Sequence, residues 1–318
     1  MLNAIRNYAT IVRISALMLA GSASVALAQV IPADYQAVLT ALGKTGDYKD
    51  DVLKMNIPRN DLKVMIDGSL IPTPFGFGGW LAMTKGDGGR DVMMGDLVLI
   101  EDEVNPVMSA LLDNGLEVTA LHNHFFFESP RIFYMHVHGH GKPADLARMA
   151  KPAIDLIGHT PDRHQYPNPV TGGGAAIAAG QIDTVGIARI VGHQGEQSGA
   201  VYKITIGRDD LKLKEMGATI NARMGLNTWA SFFGSDANAA IAGDIAMLPG
   251  EVMPVLKALR ANGLDVVAIH HHMIGTQPNI YFLHYWGTGP AEKLANGFKA
   301  ALSELGNGKR RPAGAGGQ

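Results

Sequence analysis

Val118 to Gly141 reads VTALHNHFFFESPRIFYMHVHGHG, and Val266 to Gly289 reads VVAIHHHMIGTQPNIYFLHYWGTG. These are two versions of one segment, each with apolar runs on either side of a proline-containing break. Strand side chains alternate between faces, so residues two apart share a face. His122, His124, His136, His138 and His140 all occupy even positions, which predicts a β-hairpin carrying its histidines on one side. A hairpin centred on Phe127–Ser129 sets His122 opposite His136 and His124 opposite Tyr134. Directly opposed residues in such a pairing have Cβ atoms about 5 Å apart. A slip of one residue in register would move every histidine to the other face.

The repetition extends well beyond the hairpin, at an offset of 148 or 149 positions. Asp61-Leu62-Lys63 returns as Asp210-Leu211-Lys212, Trp80 as Trp229, and Gly95-Asp96 as Gly243-Asp244. Glu103-Val104 and Pro106-Val107 return as Glu251-Val252 and Pro254-Val255, and Asn114-Gly115-Leu116 as Asn262-Gly263-Leu264. His122, His124, Pro130, His136 and Gly139 are matched by His270, His272, Pro278, His284 and Gly287. A fixed period over most of each half is the signature of a duplicated fold.

Each copy reads as a helix, a group of strands and then β-α-β-β-α. The spacing predicts a helix over Ala33–Leu42, strands over Val52–Ile57, Leu62–Ile66, Trp80–Thr84 and Met93–Ile100, and a helix from about Pro143 to Ile157. Between them, Glu101-Asp102-Glu103 opens a helix whose Val104, Val107, Met108, Leu111 and Leu112 form one apolar face, stopped by Asn114-Gly115. The fold class is α+β: two tandem copies of a mostly antiparallel sheet with helices packed on it, related to ferredoxin-like arrangements. Both faces of the hairpin strands are apolar, whereas a sheet covered on one side alone shows a polar face. The second face is therefore expected to be covered as well, by the other copy.

Residues 1–28 have the pattern of a secretory signal, with Arg6 and Arg13, an apolar run and Ala26-Leu27-Ala28 before Gln29. The run is short for a membrane span, which needs about 20 residues. Residues 29–158 and 175–306 are the expected domains, 159–174 a Pro- and Gly-rich linker, and 307–318 a disordered tail. The chain has no cysteine, so no disulfide forms, no lipid anchor attaches at the cleavage site, and any metal must be held by His, Asp, Glu or Met. The expected location is the bacterial periplasm or outside the cell, with no stable membrane anchor after cleavage. A formal net charge of -2 argues against a nucleic-acid partner. A small molecule or a metal is the expected ligand.

His122, His124 and His136, with His270, His272 and His284, are the candidate metal ligands. Neutral imidazole suits Zn, Cu, Fe and Ni, and Zn–N distances of about 2.0–2.1 Å are within reach of histidines on such a scaffold. Zinc is preferred to copper; a methionine-assisted copper site at Met135 or Met273 is the weaker alternative. Glu103 and His138 are candidates for proton transfer beside a metal-bound water, although Glu103 and Glu251 equally suit the positive end of a helix. Histidines on an apolar strand can also be plain hydrogen-bonded core residues. Trp80, Trp229 and Phe125–Phe127 are candidate pocket walls for a non-catalytic binding or metal-delivery module. His138 and His140 become Trp286 and Thr288 in the second copy, so the first is richer in ligands. No G-x-S-x-G, Walker A or H-E-x-x-H motif occurs.

The run Glu103-Val-Asn-Pro-Val-Met, followed by Val118-Thr-Ala-Leu-His-Asn-His and Pro130-Arg-Ile-Phe-Tyr-Met-His, resembles the LppY/LpqO family, a domain of unknown function. Ile269-His-His-His272 and Phe282-Leu-His284 resemble it more loosely. The resemblance implies an exported bacterial protein and brings no activity with it. Mycobacterial members look like lipoproteins, whereas this chain lacks the anchoring cysteine.

Overall fold

The computed structural model describes residues 29–159 and 176–306. The expected signal segment and tail, and most of the expected linker, lie outside the described residues.

The first copy comprises α1 (Ala33–Leu42), β1 (Gly46–Lys49), β2 (Val52–Pro58), β3 (Val64–Ile66), β4 (Ser69–Ile71), β5 (Gly78–Lys85), β6 (Asp91–Ile100), α2 (Glu101–Asp113), β7 (Glu117–His122), β8 (Glu128–Ser129), β9 (Ile132–Gly141) and α3 (Pro143–Ile154). The second comprises α4 (Thr184–Val191), β10 (Glu196–Ser198), β11 (Val201–Gly207), β12 (Lys214–Glu215), β13 (Ala218–Thr219), β14 (Asn227–Gly234), β15 (Ala239–Met247), α5 (Val252–Ala261), β16 (Asp265–His270), β17 (Tyr281–Gly289) and α6 (Ala291–Leu302). The sheets have the orders β1-β2-β5-β6-β9-β7 and β10-β11-β14-β15-β17-β16, antiparallel throughout. β9 lies between β6 and β7, which α2 connects, so the expected β-α-β-β-α core is a split β-α-β unit. The fold is α+β in two tandem copies.

Alternation sorts each strand between two cores. On the outer face of the first sheet Leu53, Met55, Leu81, Met83, Met93, Leu97, Met135 and Val137 pack against the three helices of that copy. In α2, Val104, Val107 and Leu111 are buried as expected, whereas Leu112, expected with them, is 53% exposed. On the inner face the alternate residues meet the other copy. Val98, Ile100, Ile132 and Tyr134 share one core with Phe233, Ala240, Ala242 and Trp286, and Val52, Ala82, Val92 and Met94 share another with Met224, Ala246 and Phe282. The two sheets therefore cover each other, which is why both faces read as apolar. Each buried side chain of this size contributes about 1.5–3 kcal/mol.

The copies also exchange arms. The segment Thr73–Phe75, after β4, reaches β11 and β14, and its counterpart Ala222–Met224 reaches β2 and β5. Phe75 packs edge-on against Phe233 and Trp286. Gly225 has φ +93°, a conformation that side chains rarely adopt, and a Cβ there would press on Trp80 at 3.1 Å and His272 at 3.3 Å.

Candidate metal centre between the repeats

The hairpin register differs from expectation by two residues. His122 pairs with Tyr134 and Ala120 with His136, and a bulge follows between Val118 and Ala120. A two-residue shift preserves parity, so the histidines still share the inner face. Rows of residues cross each sheet from the arm side to this edge. Asn56, Trp80, Asp96 and His136 are successive partners in one, Thr205, Trp229, Asp244 and His284 in the other.

Because the sheets face each other, the two histidine sets become one cluster. The rings of His122 and His270 stack across the repeat boundary at 3.8 Å, and His122 lies 5.1 Å from His136 and 5.0 Å from His284. His124 stacks on His284 at 3.5 Å, and His136 lies 4.0 Å from His272. Among the described residues, two sets have ligand atoms all within 4.8 Å of one another: His122, His270 and His284, and His136, His270 and His272. Each set draws on both copies, so neither copy forms it alone. These groups could hold a metal ion.

Second contacts orient some of the rings. His136 Nδ1 lies 3.2 Å from the Gly95 carbonyl and His284 Nδ1 3.1 Å from that of Gly243. The Nδ1 proton donated there leaves Nε2 free to face the cluster. Packing against the neighbouring strand leaves no room for a side chain at either glycine. A Cβ at Gly95 would lie 2.4 Å from Leu81, and one at Gly243 2.1 Å from the Trp229 carbonyl. Among the described residues, each of the six histidines keeps at least one buried ring nitrogen without a hydrogen-bond partner. Each such group costs about 1–3 kcal/mol when left unsatisfied.

Burial, reinforced by neighbouring histidines, holds His122, His124, His136 and His270 well below the ordinary imidazole range. Burial lowers His272 to about 3 and His284 to about 4, the latter against the pull of Asp244. At neutral pH the imidazoles are therefore uncharged, the form that binds metals. His272 Nε2 is 3.4 Å and His284 Nε2 4.0 Å from Asp244 Oδ2. Burial, and then Asp244, raises the Asp96 carboxyl well above its usual range, and burial raises Asp244.

A cavity of about 630 Å³ opens beside the cluster, lined by His124, His272 and His284, by Asp96 and Asp244, and by Lys54, Lys203, Trp80 and Trp229. Each lysine ammonium sits over an indole of its own sheet, at 4.4 Å for Lys54 on Trp80 and 4.0 Å for Lys203 on Trp229.

The two proton-transfer candidates lie elsewhere. Glu103 is fully buried, accepting hydrogen bonds from Arg59 (2.6 Å), the Ile100 amide (2.9 Å) and the Gly158 amide (2.7 Å). Glu251 does the same with Arg208, Leu248 and Gly306. Both therefore clasp a helix start to the end of β2 or β11, and neither faces the histidines. His138 shares the parity of His136 but lies against the second copy's β12, 3.1 Å from Glu215 and 3.5 Å from Glu117. His140 is 3.8 Å from Asp87. Of the phenylalanines, Phe125 is in the inter-repeat core, while Phe126 and Phe127 are 41% and 47% exposed. None of the three lines the cavity. Met135 is in the outer core of its own copy.

Sequence reading passed over Lys54, Lys203, Asp96 and Asp244 as site residues. The signal was present: Asp96 is a lone carboxylate in the apolar run Met93–Ile100, and both it and its glycine recur in the second copy.

No curated protein matches the chain. Among solved structures, it is similar to the trimeric bacterial microcompartment shell protein PduB at 12% identity and a TM-score of 0.20, over 81% of this chain and 89% of that one. It is likewise similar to the EtuB protein of Clostridium kluyveri at 10% and 0.19, over 82% and 91%. The ethanolamine utilization protein EutL of Leptotrichia buccalis matches at 14% and 0.19, over 85% and 100%. Similarity at this level carries no functional argument. The match to a family model is of another order, since it falls on residues 36–156 and again on 185–304: the chain belongs to the family described as Domain of Unknown Function (DUF1259), and contains the domain twice.

Proposed function

We propose that this is an exported bacterial metalloprotein that binds a divalent metal, zinc in preference to copper, between its repeats and uses it to hydrolyse a small molecule held in the adjoining cavity. One observation carries this reading: five buried imidazoles from the two repeats converge in two possible ligand sets, with ring nitrogens that no protein group satisfies. A fold that needed only a core would place apolar residues there. Such a metal would supply a nucleophile by lowering the pKa of a bound water to about 7. Asp244, against His272 and His284, is placed to accept a proton, and Asp96 occupies the equivalent row of the first sheet.

The burial of the central stacked pair favours a second reading, a closed structural site whose metal staples the repeats together. Mass spectrometry of the mature protein, purified without a histidine tag, should find near-stoichiometric metal. No metal after reconstitution with zinc or copper would sink both readings. Bound metal with no exchangeable water by cobalt-substitution spectroscopy would select the structural one.

A further inference from the structure

We infer that the cavity beside the histidine cluster is a receptor for a small organic phosphate, with Lys54 and Lys203 holding its phosphoryl group. The inference rests on the metal reading for the reaction, while the lysine pair supports it independently. The two lysines belong to opposite sheets, at equivalent positions of β2 and β11, yet line one cavity. Among the described residues, neither ammonium has a carboxylate within ion-pair distance. Each is held over an indole that leaves its N–H groups free to donate. An ammonium is a compact charge that binds phosphate oxygens well.

Charge balance points the same way. With neutral imidazoles, Asp96 and Asp244 at most offset Lys54 and Lys203. A divalent ion on the histidines then leaves the cavity with two uncompensated positive charges. A dianion neutralises them. A phosphoryl group presents acceptors in three dimensions and can meet ammoniums from two facing sheets, whereas a carboxylate presents them in one plane. The volume, about 630 Å³, is in the range of sites for small organic ligands.

The test is calorimetric titration of phenyl phosphate, benzoate and phenol into zinc-reconstituted and metal-stripped full-length mature protein, with zinc content measured in parallel. Phenyl phosphate should bind the zinc form more tightly than benzoate, and phenol should not compete. The K54Q/K203Q variant should bind phenyl phosphate about 100-fold more weakly, about tenfold per lost charged contact, with unchanged zinc content. If that variant fails to fold by circular dichroism, K54Q and K203Q are read singly. Should the wild type take up no zinc, the metal reading fails, and lysine-dependent phenyl phosphate binding by that protein would still uphold the receptor. No binding to either form, equal binding by the lysine variants, or preference for benzoate or phenol would overturn the inference.

Discussion

The two repeats dock their arms on each other in equivalent ways, but one pair of equivalent positions on the facing sheets has diverged. On β17 of the second copy, Trp286 meets the first copy's arm through Phe75, with ring centroids 6.0 Å apart in an inter-repeat apolar core. The equivalent residue of β9 is His138, which meets β12 of the second copy at Glu215. Burial works against charge on His138, but Glu215 and then Glu117 outweigh it and raise its pKa. This position is thus apolar in one copy and ionic in the other, while the six histidines match one for one. A single inter-repeat contact tolerates either chemistry because it needs only complementarity, whereas the shared cluster needs imidazoles from both sides at once.

Equality at the centre is the part of this comparison that is easiest to break. His122→Ala and His270→Ala should each weaken metal binding by about a thousandfold or more, beyond the 10–100-fold typical of losing a supporting contact; chelator competition measures this. His138→Ala should leave metal affinity unchanged. A loss from His270→Ala with none from His122→Ala would assign the metal to the set of His136, His270 and His272.

Equality should also hold at the clasps. Glu103→Ala and Glu251→Ala each remove one of the two carboxylates paired with a buried arginine, leaving Asp61 or Asp210 in place, and should cost about 1–3 kcal/mol by denaturant unfolding, with metal per folded chain unaltered. A loss of activity without a loss of stability in Glu103→Ala would restore it as a proton carrier.

The Trp286 and His138 positions should respond unequally. Trp286→Ala should cost about 3–5 kcal/mol by emptying an apolar contact. His138→Ala should cost about 1–3 kcal/mol, leaving Glu215 without its partner. Equal costs in the same unfolding assay would deny the difference between the apolar and the ionic contact.

The smallest effect concerns the lysines. Burial lowers both to about 8. Lys54 is further lowered by Lys203 and Arg223 and supported by Asp47 and Asp96, and Lys203 is supported by Asp96 and Asp244. Their charge is present below that pH and lost above it. Sulfate, which does not itself titrate in this range, should therefore bind about tenfold more weakly at pH 8.5 than at pH 7. Flat affinity across that interval would remove the lysines from anion binding.

Much of this was legible in one dimension. The offset repeat revealed two copies, alternation put the histidines on one face, and apolarity on both faces required a second cover. The roles of Glu103 and Lys54 were not legible. Glu103 finds Arg59 across 44 positions, and an acidic residue at a helix start reads the same whether it caps, pairs or catalyses. A lysine in an alternating strand reads as solvated unless another sheet closes over it.

The sequence by itself determined the duplicated strand-and-helix order and the parity of the histidines, because side-chain alternation is a local property of the backbone. Only the tertiary structure decided that the two histidine sets form one cluster instead of two. Stacking the sheets face to face buries their apolar inner surfaces, and that burial brings His122 and His270, 148 positions apart in the chain, into ring contact.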